Sequence, residues 1–144
     1  MCNLIDCFPL YYFTLDLPEN WVYEKEQDDI EACFDTKSQC TLHIYLIQVK
    51  GPEGSTKEEK IKSLTGGLDY TLTNLGYFPT DSQTKETIEQ NNKLTVFSWR
   101  LIQMFGSNEA NVIILTYTVL TAQKDSEKEM IGELEKSFKD AIFV

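Results

Sequence analysis

Apolar and polar residues follow two rhythms along the chain, and the changes between them mark out its elements. Phe13, Leu15 and Leu17 alternate with Thr14 and Asp16, the period-two signature of a half-buried strand over Tyr11–Leu17. Pro18-Glu19-Asn20 supplies a turn, and Trp21-Val22-Tyr23-Glu24 opens a second strand. Gln27-Asp28-Asp29 is the next turn signal, followed by a short strand at Ile30–Phe34 and a loop at Asp35–Gln39. Cys40–Val49 is the first long strand. Its two faces, Leu42, Ile44, Leu46 and Thr41, His43, Tyr45, Ile47, are both largely apolar, as expected of a central strand covered on both sides.

Past Gly51-Pro52-Glu53-Gly54 the period changes. Ser55 and Thr56, with Glu58 and Glu59 three residues on, form overlapping capping boxes. Ile61, Leu64, Leu68, Leu72 and Leu75 then lie on one stripe, which predicts a single helix from Ser55 to Leu75. Gly66-Gly67 falls inside it, at a cost of ~1 kcal/mol each relative to Ala, for close packing against the sheet or for a kink. Gly76 is expected to end the helix, with Pro79 beyond.

Period two then resumes. Ser82–Gln90 is mostly polar and reads as an edge strand, and Asn91-Asn92 as a hairpin turn. Leu94–Met104 follows, then the turn Gly106–Glu109, then Asn111–Thr121, apolar on both faces. A last helix begins near Ser126, capped by Ser126 and Glu129, with Met130, Leu134, Phe138 and Ala141 or Ile142 as its stripe. No strand–helix–strand alternation appears. The expected fold is therefore α+β: an antiparallel β-sheet of about six to seven strands flanked by two main helices. One domain spans residues 1–144, with 1–10 as an irregular N-terminal segment.

Composition narrows the function. The net charge of −10 argues against nucleic acid and against an anionic membrane surface, both of which call for a basic patch. Acid crowds into one stretch: Asp16, Glu19, Glu24, Glu26, Asp28, Asp29, Glu31 and Asp35 against Lys25 alone. Such a run is a solvated face or a surface that steers a basic partner, with Asp28, Asp29 and Glu31 as the partner-facing positions. No apolar run approaches the roughly 18 residues of a membrane helix, so membrane insertion is not expected. The N-terminus lacks a basic region and carries Asp6 where a leader is apolar, which predicts a cytoplasmic protein. A chain whose leader had been removed would begin in the same way, and an exported protein is the alternative. Cys2, Cys7, Cys33 and Cys40 show no CxxC spacing, and with a single histidine no metal or other cofactor is expected. Cys33 and Cys40 flank the hairpin loop, as buried packing residues or, in an exported protein, as a disulfide.

The segment Phe13-Thr14-Leu15-Asp16-Leu17-Pro18-Glu19-Asn20-Trp21 resembles the opening of PsbP-like domains, where a first strand ends in a Leu/Tyr-Pro turn and a Trp opens the next. The element order is similar over nearly the whole chain. The resemblance implies an α/β/α-like sandwich, found in photosystem accessory proteins, nuclear-import cofactors, bacterial chaperones of secreted effectors and uncharacterised bacterial proteins. Its members bind more than they catalyse, and there is no shared catalytic motif to carry over.

Little in the residues themselves speaks for catalysis. His43 is the only histidine and sits on a strand covered on both faces, as a hydrogen-bonded structural residue or a general base. No phosphate loop, nucleophile elbow or HExxH is present. Arg100, the only arginine, lies mid-strand beside Trp99. It is a structural or exposed strand arginine, or else the anchor of a cleft floored by Arg100, Ser98, Thr116 and Thr118, with His43 nearby, that binds a carboxylate or other anion. The leading expectation is a non-enzymatic binding or adaptor protein, such as a chaperone or immunity-type partner of a basic protein. The alternative is an anionic-ligand binder or enzyme using the Arg100 cleft.

Overall fold

The computed structural model describes residues 2–4, 13–14, 16–18, 20–27, 30–38, 40–50, 56–64, 66–67, 69–73, 76–80, 82–105, 109–140 and 142–143. In chain order the strands and helices are β1 (Cys2–Leu4), β2 (Phe13–Thr14), β3 (Asp16–Pro18), β4 (Trp21–Gln27), β5 (Ile30–Asp35), β6 (Thr41–Lys50), α1 (Lys57–Leu64), β7 (Tyr70–Leu72), β8 (Tyr77–Pro79), β9 (Gln83–Glu89), β10 (Asn92–Phe105), β11 (Glu109–Leu120), α2 (Lys128–Asp140) and β12 (Ile142–Phe143). A 3₁₀ turn at Thr121–Gln123 links β11 to α2. Eight strands form one antiparallel sheet in the order β4-β5-β6-β11-β10-β8-β7, with β9 also paired to β10. Two further ribbons, β1–β3 and β2–β12, lie outside it, and β3 rests against α2. The α+β architecture is the expected one.

Period two decides which residues face the core. One face of the central strands carries Trp99 and Leu101 of β10, Ile113, Leu115, Tyr117 and Val119 of β11, and Leu42 and Ile44 of β6, all buried. Against it packs α2 through Ile131, Leu134 and Phe138, spaced three and four apart as one helical stripe requires. The Phe138 ring meets Trp99 edge-on at 5.1 Å and Phe78 of β8 at 6.2 Å. Expected Leu134 and Phe138 lie on that stripe, but Ile131 rather than Met130 is its buried third member, Met130 being only half-buried. Ser126 does not cap α2: its hydroxyl donates to the Gln123 carbonyl, and Glu127 supplies the carbonyl for the first helical bond, from the Ile131 N–H.

The expected helix from Ser55 to Leu75 ends at Leu64. Its start is as anticipated, with the Thr56 hydroxyl oxygen accepting from the Glu59 N–H. Its end is set by Gly66 and Gly67, at φ 77° and 80°. Gly67 N–H bonds the Lys62 carbonyl and Gly66 N–H the Ser63 carbonyl, the paired closing bonds of a left-handed helix terminus. The glycines therefore stop the helix instead of packing inside it. Beyond them Tyr70–Leu72 is strand, and Leu72 is 70% exposed, not part of a buried stripe. Leu68 and Leu75 of that stripe lie outside the described residues.

Gly76, expected to end the helix, instead closes the β7–β8 hairpin. Thr73 N–H and hydroxyl both donate to the Gly76 carbonyl. Its φ is 147°, and a Cβ there would sit 2.2 Å from the Ile102 carbonyl oxygen of β10. The β9–β10 turn falls one residue earlier than expected, on Gln90 and Asn91 at φ 50° and 66°, the paired positive values of a tight two-residue hairpin. Gly76→Ala should lower stability by about 2–4 kcal/mol, read as a fall in the urea midpoint at unchanged slope.

Candidate functional site

Cα pairing assigns the second face of the sheet residue by residue. One row runs Ser98 (β10), Thr116 (β11), His43 (β6), Ala32 (β5). The row on one side is Val96, Thr118, Thr41, Phe34 and Val22; the row on the other is Arg100, Ile114, Tyr45 and Ile30. The five residues singled out in the sequence, Arg100, Ser98, Thr116, Thr118 and His43, thus share one face within three adjacent rows. Ser98, Thr116, Thr118 and His43 are half-buried, and Arg100 is exposed. The rings of His43 and Tyr45 stack at 6.0 Å.

This face is covered unevenly. At its far end Ile102, Ala110 and Val112 are buried, with Leu64 of α1 and Tyr77 of β8 packed against them. Helix α1 has only eight residues, and its last turn stops level with Arg100. There the guanidinium Nη1 donates a 3.5 Å bond to the Leu64 carbonyl, a cation at a helix C-terminus where the dipole favours it. No ion-pair partner of Arg100 appears among the described residues. From Val22 to Val96 the three rows span roughly 19 Å across the strands and roughly 13 Å along them. Across these rows lie the methyls and hydroxyls of Val96, Ser98, Thr116 and Thr118, the His43 and Tyr45 rings, and the Arg100 guanidinium, with Gln83 and the Gly66 turn beside it.

Of the acidic trio, Asp28 and Asp29 lie outside the described residues, and Glu31 is placed by register opposite Ile44 on β6 and Lys25 on β4. Among the described residues no group of three or more His, Cys, Asp or Glu is arranged to hold a metal ion.

A buried polar chain on the core side escaped the sequence reading. Asp35, at the head of the β5–β6 loop, accepts from the Asn20 side-chain amide, the Lys37 N–H at 2.9 Å and the Ser38 hydroxyl at 2.9 Å. Ser38 Oγ in turn accepts from the Cys40 N–H. The Cys40 thiol donates to Glu127 Oε1 at 3.0 Å, and the Tyr117 hydroxyl reaches the same oxygen at 3.4 Å. Trp21 stacks on Tyr117 at 5.9 Å. Glu127 stands at the start of α2, where a carboxylate is favoured by the helix dipole. The chain ties β4, the β5–β6 loop, β11 and α2 to one another. Cys40 and Cys33 are both buried; Cys33 pairs with Leu42, two residues from Cys40, and the Cys40 sulfur is turned to Glu127. Both lie in the core cluster behind α2, and Cys40 also serves the polar chain.

No protein-family model matches the sequence, and no curated protein matches it. Among solved structures the chain is similar to LpqN of Mycobacterium tuberculosis, described as involved in cell envelope biogenesis, at 10% identity and a TM-score of 0.63, over 92% of this chain and 83% of that one. It is also similar to a protein of Bacteroides thetaiotaomicron VPI-5482 at 12% identity and a TM-score of 0.57, over 99% of this chain and 48% of that one, about half its length. PsbP of Synechocystis sp. PCC 6803 matches at 8% identity and a TM-score of 0.39, over 92% and 86% of the two chains. At that score the superposition is too loose to build on. At such identities the matches to LpqN and the Bacteroides protein bear on fold alone, and over nearly the whole of this chain they accord with the architecture expected from its element order.

Burial pushes the Tyr117 phenol up, reinforced by neighbouring Cys40 and Glu127, and pushes the Cys40 thiol above its ordinary 9.0. Both groups are neutral in the fold and ionise more readily unfolded. The stability they confer is full below the unfolded values and falls as pH rises through the folded ones. Urea midpoints should therefore decline from about pH 9 upward, and Tyr117→Phe should flatten the decline.

Proposed function

We propose that this protein is a non-enzymatic binding protein that docks a protein partner on the open part of its sheet. One observation carries the reading. The Ser98–Thr116–His43 row and its two neighbours leave a largely half-exposed run of side chains from β10 across to β5 and Val22 of β4, while α1 packs on the end beside Ile102. Small-molecule sites are concave and enclose most of their ligand. A run of alternating methyl and hydroxyl groups, edged by Phe34, Tyr45 and Ile114, suits a macromolecular surface instead. The net charge of −10 favours a basic partner, as a chaperone or immunity-type protein would have.

A second reading rests on Arg100. Its exposed guanidinium, without an ion pair among the described residues, suits a carboxylate or phosphate on a smaller ligand. For location, the Cys40 thiol, which donates to Glu127, suits a reducing, cytoplasmic compartment. An envelope role of the kind named for LpqN is the alternative. No helix among the described residues is long and apolar enough to cross a membrane.

The test is capture of partners from native extract by wild type, Thr116→Arg in mid-face, Arg100→Ala, and Glu133→Lys on the exposed side of α2. The proposal expects a stoichiometric partner lost with Thr116→Arg, weakened by salt and retained with Glu133→Lys. Loss with Arg100→Ala alone would favour the second reading, and a partner indifferent to Thr116→Arg would sink the first.

A further inference from the structure

Strand β9 is paired on one side only. It bonds β10 from Asn92↔Glu89 to Ser98↔Gln83, and all seven of its side chains are exposed, Ile88 by 69%. The sheet order puts no strand on its other side among the described residues, because β7 pairs with β8 alone. The two-residue turn at Gln90 and Asn91 makes Glu89 and Asn92 the closing hydrogen-bonded pair. Alternation then directs the N–H and C=O groups of Glu89, Thr87, Lys85 and Gln83 at β10. Those of Ile88, Glu86 and Thr84 point outward.

We propose that this outer edge is an interface for a second copy of the chain, β9 pairing antiparallel with β9 about a two-fold axis at Thr87. A two-fold normal to the sheet keeps each side chain on its own face, so the residue numbers in a cross-strand pair must sum to an even value. Centring on Glu86 or Lys85 sets like charges against each other on the axis, which is destabilising. Centring on Thr87 places Thr87 beside Thr87 and Lys85 beside Glu89 twice over. Ile88 then exchanges backbone bonds with Glu86, and these are the residues whose groups point outward. Lys85 and Glu89 sit four residues apart on one face of an extended strand, roughly 13 Å from each other within a chain, so their pairing is available only between chains. The joined sheets carry their Ser98–Thr116–His43 faces on the same side, since odd β9 residues share that face with Val96 and Ser98.

Sedimentation equilibrium from low micromolar to submillimolar protein tests the edge. Wild type should pass from one chain to two, with amide exchange at Glu86 and Ile88 slowing as dimer forms. Ile88→Pro removes only an outward donor, so it should leave the urea midpoint nearly unchanged and abolish the dimer. Lys85→Glu and Glu89→Lys should each weaken association roughly tenfold or more, since each sets two like-charged pairs across the axis. The double variant, and an equimolar mixture of the two single variants, should restore it. A wild type monomeric throughout, or a dimer indifferent to Ile88→Pro, overturns the interface. A dimer sensitive to Ile88→Pro but not rescued by the double variant overturns the Thr87 register.

Discussion

The seal between α2 and one face of the central strands governs the rest of the molecule. Phe138 against Trp99 and Phe78, with Ile131 and Leu134 beside it, closes a core that runs across β6, β11 and β10. Because α2 has thirteen residues and one apolar stripe, it serves that face alone. The opposite face is left to α1, two turns long and buried chiefly through Ile61. That inequality of cover, and not any special reactivity, is what leaves Ser98, Thr116 and His43 half open to their surroundings.

Strands were the legible part of the fold. Alternation in Leu94–Met104 and the two apolar faces of Cys40–Val49 and Asn111–Thr121 identify the three longest strands within a residue or two at most ends. The error over residues 65–76 has a definite cause. Leucines at 64, 68, 72 and 75 mimic a helical stripe, and their spacing outweighed a glycine pair that the backbone uses as a stop. Three-residue strands such as β7 and β8 are too short to show a period, so nothing in their composition competed with the helix. The β7–β8 hairpin depends on an approach between Gly76 and Ile102, a tertiary contact that local sequence does not encode.

The two polar groupings were unequally visible. Parity alone sets Ser98 and Arg100 on one face, and Thr116 and Thr118 likewise; only the register of β10 on β11 on β6 aligns them with His43. The Asn20–Asp35–Ser38–Cys40–Glu127–Tyr117 chain had no comparable signal. Cys40 and Glu127 are 87 residues apart, and no local pattern links them. Burying a carboxylate beside a thiol and a phenol costs desolvation, which the donors aimed at it offset. A group of this kind fixes how hairpin, strand and helix meet more than it adds net stability.

The order of the sheet also bears on how the chain reaches its native state. The β4–β5–β6 strands and the β9–β10–β11 strands are each consecutive in sequence and joined by only a few residues. The pairing of β6 with β11 must instead close the loop from Lys50 to Glu109, which contains α1 and the β7–β8 hairpin as well as β9 and β10. Loop-closure entropy makes that union the slow event, with two locally wired meanders formed early and joined late. The strands that meet last, β6 and β11, carry much of the apolar core face. Until they meet, each meander exposes a sticky edge, and the interval between the two events is when this chain is most open to aggregation.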